Sequence, residues 1–220
     1  MSPTTELEAI NTMLMSIGEQ PIQNDDDLAG LSDASIAQKI LHNVSRAVQS
    51  RGWIFNTDLD KLMPVTAQGG GGLEKGVIHV PKNVLRIDST ATLRGNDSDI
   101  VERGRQLYDR KKNTNLFDMD SEIKCNVIVH LIFSDLPEPA RRYISIRSAR
   151  IFHDRVVGSN ELHRFYQEDE LQAWTTLLEY EGDVADYNIF DNYDVQRVID
   201  RLPGSSNNRL GYNVIENYTT

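Results

Sequence analysis

The sequence predicts an α+β protein: an antiparallel α-helical bundle of about four main helices, an inserted small antiparallel β domain and an extended C-terminal arm. Three observations carry this. Apolar residues recur at helical spacing before residue 50 and again between 140 and 180. Short β-rich runs separated by Gly, Asn and Asp fill the stretch between, and a linker-like segment follows Gly182. The expected division is 1–57 with 134–182 for the discontinuous bundle, 58–133 for the β domain and 183–220 for a docking segment.

Thr5 and Glu8 have capping-box spacing, and Leu7, Ile10, Leu14 and Ile17 make one helical face before Gly18. Loop follows. Asp25, Asp26 and Asp27 lack the ligand spacing and distal glutamate of a calcium loop, so they read as solvated. Ser32 or Asp33 opens a second helix with Ile36, Ile40, Val44, Ala47 and Val48 inward, and Gly52 lies past its end. Trp53-Ile54-Phe55 is a short strand or a buried aromatic plug.

From Asp58 the predicted strands are Met63–Val65, Gly76–Pro81, Val84–Asp88, Gln106–Asp109 and Ile123–Ile132. Gly69 to Gly72 is followed by no Lys-Ser/Thr pair and no helix, so it is a mobile hairpin tip and not a phosphate loop.

Leu136-Pro137-Glu138-Pro139 stops a strand and starts a helix, because proline is tolerated only in a helix's first turn. Gly158 ends it, and Ser159 or Asn160 caps the next, so two helices of about twenty residues lie antiparallel. Ala140, Ile144, Ser145, Ser148, Ala149, Phe152 and Val156 share a face of the first. The second has two stripes, Leu162, Tyr166, Ala173, Leu177, Tyr180 and, about 120° round, Leu171, Trp174, Leu178. A helix apolar on two sides packs against two neighbours. Arg141, Arg142, Arg147, Arg150 and Arg155 make the first helix basic; Glu161, Glu168, Asp169, Glu170, Glu179 and Glu181 make the second acidic.

A net charge of -10 over 220 residues argues against a dedicated DNA-binding domain, which needs a basic surface. No apolar run is long enough to span a membrane, and MSPTTELEAI lacks the features of a secretory signal. The single cysteine, Cys125, can form no intrachain disulfide, as expected of folding in a reducing cytoplasm. His42, His79, His130, His153 and His163 lack zinc-site spacing, so neither metal nor cofactor is expected. Among enzymatic ideas only paired carboxylates stand out, in Asp118, Asp120 and Glu122 and in Glu168 to Glu170; such clusters usually just face water.

Several stretches together resemble one family. They are Ser16–Pro21, Gln49–Asn56, Tyr108-Asp109-Arg110, Leu136-Pro137-Glu138, Ala149–Phe152, Glu168-Asp169-Glu170 and Tyr187–Asp191. In this order and spacing, from about residue 5 to 193, they resemble the tail tubular protein A family, head-to-tail adaptors of short-tailed bacteriophages. The resemblance implies a virion tail protein assembled in the host cytoplasm, as a homo-oligomer of twelve subunits. That ring lies between the portal protein and the tail nozzle (tail tubular protein B), with the tail fibre protein nearby. DNA crosses the lumen without sequence-specific binding. An adaptor that also hydrolyses polysaccharide or cell wall through Asp118, Asp120 and Glu168 is the alternative; an unrelated cytosolic helical binding protein is the third.

A closed ring needs two unlike faces on each subunit. The candidates are Arg147, Arg150 and Arg155 against Glu168, Asp169 and Glu170 of a neighbour, with Trp174 alongside. Pairing of these charges within the hairpin, or simple solvation, stays open. Tyr187, Ile189, Phe190, Leu210 and Tyr212 are the candidate anchors of the arm on the portal or nozzle.

Overall fold

The computed structural model describes residues 3–24, 32–67, 75–89 and 99–185. Helix α1, Glu6–Ser16, opens on a complete capping box: Glu8 N–H donates to Thr5 Oγ1 and Thr5 N–H to Glu8 Oε2. It buries Ala9, Ile10, Met13 and Leu14. Helix α2, Ser32–Gln49, buries Ala34, Ala37, Ile40, Leu41, Val44 and Val48. Ile36 and Ala47, expected inward, are exposed. Each lies one residue, about 100°, from the buried row.

Past α2 the chain makes a 3-10 turn at Ile54–Asn56, and Trp53 is a buried plug and not a strand. Its indole N–H donates to Val48 O at 2.8 Å. Among the described residues eight strands follow: β1 Thr57–Met63, β2 Thr66–Ala67, β3 Lys75–Val77, β4 Val84–Ser89, β5 Ile100–Arg103, β6 Gln106–Asp109, β7 Phe117–Asp118 and β8 Ile123–Val129. All pairings are antiparallel, in the orders β1-β8-β4, β2-β3-β7 and β5-β6. The expected hairpin around the glycine run has paired flanks, Thr66 with Val77; its tip, residues 68–74, lies outside the described residues, as do Asp25 to Asp27.

Helix α3, Glu138–Val156, is the centre of the bundle and packs on both α1 and α2. It buries the predicted Ala140, Ile144, Ser145, Ser148, Ala149 and Phe152, adding Tyr143 and His153. Val156, in the last turn before Gly158, is exposed. Gly158, at φ +70°, turns the chain into α4, Asn160–Val184. The first unit ends at Glu181, and beyond it only residues 182–185 are described.

The first unit holds two hydrophobic cores. One joins the helices through Ile10, Leu41, Ile144, Phe152 and Leu177; the other fills the β region with Ile78, Leu107, Cys125 and Val127. Two buried amides fasten them. Gln49 donates from Nε2 to Leu131 O and accepts Leu131 N–H at Oε1, closing a backbone-like pair. Asn56 donates to Gln49 O and Val129 O while accepting Trp53 N–H. The Gln49–Leu131 pair and the Asn56–Val129 bond span from α2 and its exit to the end of β8, so the β region is held against the bundle by satisfied polar groups. Gly52 makes the approach possible: at φ +79° its missing Cβ would lie 2.5 Å from Ile128 Cδ1.

Candidate interaction surface

The α3–α4 hairpin is where the sequence concentrates its charge, and the fold sorts those charges into two sets. The inner set is closed within the chain. Glu170, only 9% exposed, accepts from Arg147 Nη1 at 2.6 Å and Arg150 Nε at 2.5 Å. Arg150 also reaches Asp154 at 3.2 Å, and Asp154 lies 2.9 Å from His163 Nδ1. The Glu170 hydrogen bond holds the Arg150 proton more tightly than usual; burial opposes this, and the Glu170 and Asp154 charges add to it.

Aromatic rings continue the seam. Tyr143 lies 5.0 Å from Trp174, Trp174 stands edge-on 5.4 Å from Trp53, and Trp53 stacks on Phe55. The Arg51 guanidinium covers the Trp174 ring at 4.6 Å. Glu181 closes the far end by accepting Ile54 N–H at 2.7 Å. The two helices therefore run antiparallel along the contacts 154–163, 150–170 and 143–174, as their short turn requires.

The outer set is open. Glu161, Glu168, Asp169 and Glu179 are exposed, with Arg164 among them. Of the two apolar stripes on α4, one buries Ala173 and Leu177 and half-buries Tyr166 and Tyr180, while Leu162, at its start, is exposed. On the other, Leu171 is 65% and Leu178 47% exposed, with Trp174 tucked toward the core. An open groove of about 680 Å³ runs between the helices, lined by Tyr143, Arg150, Arg164, Glu168, Leu171 and Trp174. Leu171 and Leu178 stand two turns apart in one row, so their exposed surfaces form an apolar stripe along the helix.

Of the residues expected at a neighbour contact, Arg155, Glu168 and Asp169 are exposed and Trp174 is at the groove, whereas Arg147, Arg150 and Glu170 are joined inside one chain. Tyr187, Ile189, Phe190, Leu210 and Tyr212 lie outside the described residues. Asp118 sits 4.0 Å from Lys75 on an exposed strand end, and Glu170 spends both oxygens on guanidinium donors. A carboxyl so engaged has no oxygen free to protonate a glycosidic leaving group.

Several structural residues escaped the sequence reading. Asp109 is buried and accepts Lys111 and Lys112 N–H groups, so Tyr108-Asp109-Arg110 is a turn lock, with Arg110 paired to Asp99. Arg141 donates to Leu136, Ser134 and Thr4 carbonyls, pinning the N-terminal segment beside α3. Among the described residues no His, Cys, Asp or Glu cluster is placed to hold a metal ion, and no helix is long and apolar enough to cross a membrane.

A sequence model of the family described as Tail tubular protein matches residues 7–187. Tail tubular protein A of Klebsiella phage KP34 is similar to this chain, 28% identical over 179 residues that cover 80% of the chain and 86% of that protein.

Proposed function

Because the chain belongs to the tail tubular protein family, and is thereby a structural component of a bacteriophage tail, we propose that it is the head-to-tail adaptor. In this reading twelve copies close a ring between the portal protein and the nozzle, with the fibre protein attached nearby and DNA passing through the lumen. The observation that carries it is the exposed Leu171–Leu178 stripe on a hairpin whose inner charges are satisfied within the chain. A single rigid helix pair with one face closed and one face open suits a subunit that is stable alone and completed by neighbours.

The net charge of -10 per copy supports the conduit role. A lumen lined with like charge keeps passing phosphates from binding along its wall. The segment beyond Asp183 supplies the docking arm, with Tyr187, Ile189, Phe190, Leu210 and Tyr212 as its anchors.

Mixing the purified chain with its portal protein and imaging the product by electron microscopy tests the proposal. A closed annulus of this chain on the portal is expected; a portal left bare at saturating concentrations of the chain overturns it.

A further inference from the structure

We propose that the open face of α4 on one copy seats against the outward face of α2 on the next, which rests on the ring reading above and names the contact that closes it. The α4 face carries Leu171 and Leu178 beside the exposed acids Glu168 and Glu179, with Arg164 two turns before Leu171 on the same row. The α2 face carries Ile36, Lys39, Asn43, Arg46 and Ala47, all exposed, at i, i+3, i+7, i+10 and i+11 spacing. These rows have the same pitch, so one helix can lie along the other.

Charge decides which face meets which. Of the α3 arginines that the sequence offers as the basic complement, Arg147 and Arg150 already hold Glu170 of their own chain, which leaves the exposed Arg155 alone in the last turn of that helix. On α2, Lys39 and Arg46 are exposed, and no exposed carboxylate stands on that helix. Among the described residues no carboxylate of the same chain pairs with either. Packing α4 on α4 across a two-fold axis would bring acids against acids, which is repulsive. Packing α4 on α2 joins acids to bases around an apolar centre of Leu171, Leu178, Ile36 and Ala47. The two patches differ, so the contact is heterologous and successive copies join head to tail.

Full-length variants test this. Reversing α2 (K39E with R46E) or α4 (E168K with E179K) should each lower the yield of rings on the portal about tenfold, and the four changes together should restore it. All four side chains are at the surface, so each variant should melt with the wild type. Unchanged yield in either two-residue variant, or no recovery in the combination, overturns the pairing, while wild-type rings on the same portal leave the adaptor reading standing. A wild type that forms no ring removes both. A disulfide dimer formed readily by Leu171→Cys alone would put α4 on α4 and would likewise overturn the proposal; Cys125 is buried and does not compete.

Discussion

At the scale of single residues, Glu170 decides how the hairpin holds together. Glu170→Ala strands two guanidiniums beside a buried surface and should cost about 2–4 kcal/mol, the lower end reflecting partly exposed arginines; urea unfolding measures it. Loss of less than about 0.5 kcal/mol would show the network to be ornamental. His130 gives a pH signature. Burial, followed by the Arg46 and His42 charges, pushes its pKa below the ordinary histidine value. The unfolded chain then binds the proton first, so stability is full above the usual histidine range and falls as pH drops through it toward the lowered value. His130→Gln should flatten that part of the stability profile, measured between about pH 7.5 and 5. Glu170 was legible in principle: it lies three and seven residues before the buried Ala173 and Leu177, on the same row. In a run of three acids, charge alone does not say which one turns inward.

At the scale of elements, the joint of Gln49 and Asn56 and the two-faced α4 matter most. Gln49→Ala leaves the Leu131 N–H and C=O without partners and should cost about 1–3 kcal/mol; hydrogen exchange at the Leu131 amide should rise before that of α2. A protected amide in the variant would assign the joint to packing alone. On α4, Leu171→Ser with Leu178→Ser should leave stability within about 0.5 kcal/mol, yet lower ring yield, which separates an assembly face from a core face. The helices were readable because capping, proline and glycine signals agree with apolar periodicity, as at Thr5, Pro137 and Gly158. Strand β1 was read only at its end. Its sequence TDLDKLM is exposed over five consecutive residues, and a bulge between Asp58 and Lys61 breaks its register, so no alternation announces it. Strand β5 went unread for a similar reason, being four residues held by its hairpin partner β6. The exposed apolar face of α4 was visible as a second apolar stripe, whereas the internal use of Arg147 and Arg150 needed the fold.

For the whole molecule, the predictions concern assembly. A chain truncated after Asp183 should keep its far-UV spectrum and thermal transition while failing to attach to portal or nozzle; normal attachment would dismiss the docking arm. Ring formation should also weaken between about 0.05 and 0.5 M salt, where the screening length shortens to a few ångströms, and light scattering reads this directly. Gln49 and Asn56 carry a mechanical corollary. Side-chain amides tie the end of β8 to α2 and its exit, so a push on the sheet reaches the helices through those bonds. A chain jointed in this way is able to relay load from its sheet to its helices.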